Sequence, residues 1–302
     1  MNRLLLRILL IFMLGTPFLS KGQFYTGSYQ EFGKSRVQYQ GFQWQSFNFQ
    51  RFKVYFYSGG RDLAEYTSRA AYEELKALEK QFGYYIDDKL EIIVYNRLTD
   101  FRQSNIGINS DLESNVGGVT QLVGNKLFIY YEKDHPMYHT MIRRALAEVL
   151  VNHMLYGGNW KEVIKNAALL NLPEWFVNGF IAYAAEGWSV EMDNWVKDAI
   201  LNDRITKFNH LEGRDAYIAG QAIWNYIAEK HGEKAITNIF SMTRVSRDID
   251  KELIYTINTN LRQLSNAFVV YYRDRYQKDV SRATAPTLKP MDVNIRKRRS
   301  VY

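Results

Sequence analysis

The sequence predicts an α+β fold in which a small mixed β-sheet carrying one long helix precedes a mainly helical lobe. Two short segments rich in β-branched and aromatic residues, 52–57 (FKVYFY) and 90–95 (LEIIVY), lie only in the first third of the chain. Apolar residues at helical spacing run between them, and from Asp134 onward that spacing holds throughout. Strands first and helices afterwards, rather than strictly alternating, separates this pattern from a doubly wound sheet. With 302 residues, 46% hydrophobic and 24% charged, the chain has enough apolar surface for a packed core, which excludes a disordered or collagen-like polymer.

Taken in order, residues 23–50 are rich in Gln, Tyr, Phe and Ser without helical spacing and read as an extended lead-in. Residues 52–57 alternate as a strand. Gly59, Gly60 and Asp62 then open a helix to about Phe82, with Leu63, Tyr66, Ala70, Leu75, Leu78 and Phe82 on its apolar side. Residues 90–95 form the next strand, and 119–122 with 127–131 are expected to form a hairpin around Gly124 and Asn125. Asp134 or His135 can cap the following helix, where Pro136 suits the first turn, and Gly157 and Gly158 stop it after about Leu155. Further helices are expected over 160–170, 173–186, 190–201, 214–231, 233–242, 248–256 and 260–277. The domain so defined covers 51–280, with a sheet subdomain at 51–133 and a helical lobe at 134–280.

The two ends have their own character. Residues 1–22 resemble a signal peptide: Arg3 and Arg7 precede an apolar stretch at 8–19, and Ser20 and Gly22 are small residues before a cut at Gln23. A membrane anchor needs about twenty apolar residues, and Lys21 closes this stretch too early. The mature protein is therefore expected to be exported. The chain has no cysteine, which excludes disulfides, thiolate zinc sites, cysteine nucleophiles and a lipidated N-terminal cysteine. Residues 281–302 carry Pro286, Pro290 and the run Arg296, Lys297, Arg298 and Arg299, without periodicity, and read as a linker or tail. Of the formal charge of +7, three cations (Arg3, Arg7, Lys21) belong to the leader, and six cations against one acid lie in the tail, leaving the body near −1. The body is thus not a basic nucleic-acid binder.

Two segments of the helical part carry a chemical pattern. Residues 141–154 read MIRRALAEVLVNHM and residues 172–183 read LPEWFVNGFIAY. The second resembles the Leu-Pro-x-Trp-x-x-Glu-Gly-x-Ala-x-Tyr pattern of gluzincin metallopeptidases of the peptidase MA type, and 217–240 (YIAGQAIWNYIAEKHGEKAITNIF) fits the same layout. The resemblance implies a zincin-like fold, a sheet beside a helical lobe with the metal site between them. In such a site two histidines four apart on one helix and a glutamate from the next hold zinc, and the glutamate after the first histidine activates water.

In this sequence Arg144, Ala145 and Glu148 stand at the first histidine, the catalytic glutamate and the second histidine, and Asn178 at the third ligand. A shift of four residues places Glu148, Val149 and Asn152 there instead. The framework residues Pro173, Trp175, Gly179 and Tyr183 remain. The expectation is a degenerate site without metal, cofactor or catalysis. Arg144 and Glu148 would form an exposed ion pair one helical turn apart, or would join Asn178 in a hydrogen-bonded cluster filling the former cleft.

Other candidates carry less. His135 and His139 are four apart, but His135 is expected to cap and to face away from a common ligand position. His153, His210 and His231 read as surface or capping residues. Trp175, Tyr183, Trp188, Trp195, Trp224 and Tyr226 could line a sugar or peptide groove, although aromatics at helical spacing usually form core. No phosphate loop or nucleophile elbow is present. The expected function is a non-catalytic, exported scaffold or interaction module of a Gram-negative cell envelope, periplasmic or associated with the outer membrane, with an envelope protein as partner. In proteins that the chain resembles, such a domain precedes a TolB-like β-propeller, to which the tail would connect in a longer chain. The alternatives are a divergent metallopeptidase with unusual ligands, and a basic tail, Arg296 to Arg299, that docks peripherally on anionic lipid or an acidic partner.

Overall fold

The computed structural model describes residues 38–104, 126–156, 172–205 and 208–282. The leader, the basic tail from 283 onward, the 119–122 arm of the expected hairpin and the 160–170 helix lie outside these residues. Within them the chain is an α+β fold. Four strands, β1 (Gln45–Asn48), β2 (Phe52–Phe56), β3 (Leu90–Tyr95) and β4 (Lys126–Tyr130), form one sheet in that order. β1 pairs antiparallel with β2, while β2 with β3 and β3 with β4 are parallel. The sheet is therefore mixed.

β2 alternates buried Phe52, Val54 and Phe56 with partly exposed Lys53 and Tyr55, as a strand covered on one face should. β3 is buried from Ile92 through Tyr95 on both faces, which is why it reads as a continuous apolar run. One face carries the long helix α1 (Arg61–Phe82), which ends at Gly83, whose φ of +60° is open to glycine at little cost. Part of the lead-in is ordered: the Phe42 and Trp44 rings pack on Tyr57 and Tyr95, with Trp44 and Tyr95 5.4 Å apart, edge to face. β1 also falls within the residues expected to be merely extended. Its sequence, QSFN, lacks the branched residues that announce a strand, and pairing with β2 supplies the order that propensity does not.

The short α2 (Leu98–Phe101) follows β3, and the helical lobe begins at α3 (His135–Tyr156). Asp134 caps α3 by accepting from the Met137 amide at 2.9 Å, with Pro136 in the first turn. α3 is buried nearly all round and forms the axis of the molecule, packing against α1 and β4 on the sheet side and against later helices on the other. Then come α4 (Glu174–Glu186), α5 (Val190–Leu201), a short 3₁₀ turn (Phe208–His210), α6 (Gly213–His231), α7 (Glu233–Ser246), α8 (Ile249–Ile257) and α9 (Leu261–Arg282). Ser189, Asp248 and Asn260 cap α5, α8 and α9 through bonds from amides three residues on. α9 continues through Ser281 to Arg282, so the helix ends later than its apolar spacing suggested and takes in the first residues assigned to the tail. One continuous core runs from Phe52 to Tyr276, joining sheet and helical lobe. No helix among the described residues is long and apolar enough to cross a membrane.

Candidate functional site

The framework residues of the motif are packing residues. Pro173 precedes α4 in extended conformation (φ −61°, ψ 149°), as its ring demands, and Trp175 is fully buried. α4 and α6 touch backbone to backbone through two glycines. A Cβ on Gly179 would lie 2.4 Å from the Gly220 Cα, and one on Gly220 would lie 2.2 Å from the Trp175 carbonyl oxygen. Around this contact Trp224 donates to the Phe176 carbonyl at 2.9 Å, and Phe176, Phe180, Trp224 and Phe240 stack edge to face or tilted. Tyr183, near the end of α4, is half-buried, and burial raises its phenol to about 12.

Against this rigid pair lies the face of α3 that carries Arg144 and Glu148. Arg144 does not pair with Glu148. Its Nη1 donates to the Tyr217 hydroxyl at 2.9 Å and reaches Glu186 at 3.4 Å, and its guanidinium lies over the Tyr217 ring, 4.7 Å from the centroid. The Tyr217 hydroxyl donates in turn to the same Glu186 carboxylate, and burial pushes that phenol well above its ordinary range. Residues from α3, the end of α4 and the first turns of α6 thus meet around one cation.

Glu148, one turn along α3, has no hydrogen-bond partner among the described residues. Burial pushes its carboxyl up to about 7, and the Arg144 charge offsets only part of that shift. Ala145, which the resemblance set at the catalytic glutamate, is 2% exposed and belongs to the core. Asn178 is exposed. The expected Arg144–Glu148–Asn178 cluster therefore gives way to an Arg144–Tyr217–Glu186 cluster. Tyr217 lay in the segment matched to the same layout, but nothing in its spacing distinguished it from other helical tyrosines.

A second polar network joins sheet and lobe, and the sequence reading missed it. Arg143 donates from Nε to the Ala184 carbonyl at 2.8 Å, from Nη2 to Gln81 at 3.2 Å, and from Nη1 to Glu74. His139 bonds the same Glu74 through Nε2 at 2.9 Å and meets the Tyr66 hydroxyl through Nδ1 at 3.0 Å. Burial alone would raise the Glu74 carboxyl, but the bonds from Arg143 and His139 outweigh it and hold the group below its ordinary range. His135 and His139 do not face apart. Both rings pack near Tyr66, at 5.4 and 6.3 Å between centroids. The signal available was the four-residue step from His139 to Arg143, which puts both on one face.

The remaining candidates separate. His153 is buried 3.9 Å from Asp88, and burial lowers its pKa against the pull of that carboxylate. His210 sits in the 3₁₀ turn and His231 ends α6. The aromatic residues do not line a common groove: Trp175 and Trp224 are fully buried, and Trp188 stacks on Tyr272 at 5.5 Å. Among the described residues no group of three or more His, Asp or Glu side chains is placed to hold a metal ion. Arg296, Lys297, Arg298 and Arg299 lie outside the described residues. Neither a model of a known protein family nor a curated protein matches the chain.

Proposed function

We propose that the chain is a non-catalytic scaffold or interaction module on a gluzincin-like framework, exported and serving a cell-envelope assembly through a protein partner. The observation that carries the reading is Arg144. It stands where the resemblance puts the first histidine, and it is tied to Tyr217 and Glu186 on two neighbouring helices. A guanidinium fixed at that position supplies a permanent positive charge and opposes the approach of a metal cation to the same place. The helices around it keep their Gly179–Gly220 contact and their buried tryptophans, which is what a module that needs shape but not chemistry retains.

Glu148 favours a second reading, a divergent hydrolase. A partly buried carboxyl titrating at about 7 without a hydrogen-bond partner among the described residues has the properties of a general acid or base. The two readings separate on incubation of the purified chain with an unfolded protein substrate, with and without chelator. The scaffold reading expects no cleavage in either condition. Cleavage that chelator abolishes supports the metallopeptidase, and cleavage that survives chelator but is lost in Glu148→Gln supports the metal-free hydrolase.

A further inference from the structure

Among the described residues β1 pairs along one side only, and beside it lies a groove that the site around Arg144 does not use. β1 is the first strand in the order of the described sheet, and it bonds to β2 along one side only. Natural sheet edges are commonly blunted by charge or proline, because an unpaired row of amides and carbonyls invites another strand. The β1 residues Gln45, Ser46, Phe47 and Asn48 include neither, while the strand's four-residue length limits the pairing it can offer. Between this hairpin and α1 lies a groove of about 600 Å³, lined by aromatic side chains including Phe47, Phe49, Phe52 and Tyr72. Phe49 is 43% and Tyr72 56% exposed, and both rings lie at this one groove.

Two charges of opposite sign also line this groove. Arg69 and Glu73 lie one turn apart on the exposed face of α1, and neither forms an ion pair among the described residues, whereas Arg51 is engaged by Glu79 and Glu65 by Arg61. An occupant must therefore offer an extended backbone edge, apolar side chains, an anion for Arg69 and a cation for Glu73. The same surface offers all four. In a contact related by a two-fold axis, residue i of one copy meets residue j of the other and j meets i, so Arg69 and Glu73 satisfy each other reciprocally. A two-fold axis perpendicular to a sheet also sets identical edge strands antiparallel.

We propose that this surface binds a second copy of the chain, with β1 pairing to β1 of that copy and Arg69 facing its Glu73 in each of two equivalent contacts. The sheet then continues through the contact, and the Phe49 and Tyr72 rings leave water. The proposal is independent of any chemistry around Arg144, because the groove lies at the opposite edge of the sheet from β4.

Light scattering coupled to size exclusion on the full chain, over a dilution series, tests it. The wild type should run as a dimer that dilution dissociates. Arg69→Glu and Glu73→Arg each place like charges across both contacts and should weaken the dimer about tenfold or more. The double variant Arg69→Glu/Glu73→Arg should restore it. Both residues are exposed on α1, so circular dichroism and melting of the monomers should match the wild type. A wild type that stays monomeric throughout, a dimer indifferent to both single variants, or a double variant that remains as weak as the singles overturns the proposal.

Discussion

Arg143 and Arg144 are neighbours in sequence and part company in space. The 100° step of the helix sends the first to Glu74, Gln81 and the Ala184 carbonyl, and the second to Tyr217 and Glu186. Replacing Arg143 by Met leaves a half-buried Glu74 with His139 as its remaining cationic partner, and should cost about 2–3 kcal/mol in denaturant unfolding at neutral pH. Because the Glu74 pKa is depressed on folding, its contribution is present above the ordinary carboxylate range and fades as pH falls through the folded value. The Arg143→Met deficit should therefore shrink in acid. Glu148 has the opposite sign. Its folded pKa, raised to about 7, places no burden on stability at low pH, and the folded state loses ground as pH climbs from the ordinary carboxylate range through 7. Glu148→Gln should melt like the wild type at or below the ordinary carboxylate pKa, gain on it as pH rises towards 7, and be more stable by about 2–3 kcal/mol in mild alkali. Equal shifts at both pH values would show that Glu148 titrates normally. At this scale the sequence marked Arg144 and Glu148 as residues to watch, but not where Arg144 would turn. The spacing offered Glu148 on the same helix, with which Arg144 does not pair, whereas Tyr217 and Glu186 lie 73 and 42 residues away and meet it only through packing.

The pairing of α4 with α6 depends on the absence of side chains at one crossing. Gly220→Ala gains helix propensity of about 1 kcal/mol, yet its Cβ would meet the Trp175 carbonyl at 2.2 Å, a backbone atom that cannot rotate away. A net loss of about 2 kcal/mol or more is expected by thermal or denaturant unfolding, and a neutral or stabilising result would show that the helices can separate without cost. Some elements were legible: β3 and α5 fall where branched residues and helical spacing placed them, and α3 starts at the Asp134 cap. β1 and the late end of α9 were not. QSFN has little strand propensity and is ordered by its partner, and the polar last turns of α9 carry no apolar spacing to mark them. The Gly179 position was recognisable as part of a motif, but its reason, contact with a second glycine 41 residues later, requires the folded pair.

At the scale of the whole molecule, sheet and lobe share one core, and α3 lies between them with a polar network on each of two faces. The Glu74–His139–Arg143 network ties α3 to α1 and to the end of α4, while the Arg144 cluster ties it to α4 and α6. The α+β order of strands before helices followed from patterning alone, since a chain without cysteine must hold such a fold by packing. The functional reading rests on the Arg144 cluster having replaced a metal site. Zinc stoichiometry measures this most directly: the chain is purified, dialysed against excess zinc, freed of unbound metal and analysed by mass spectrometry, beside Glu148→Gln and Arg144→Ala. The account predicts well below one zinc per chain in all three, with no dependence on Glu148. One tightly held zinc per wild-type chain, lost in Glu148→Gln, would contradict it.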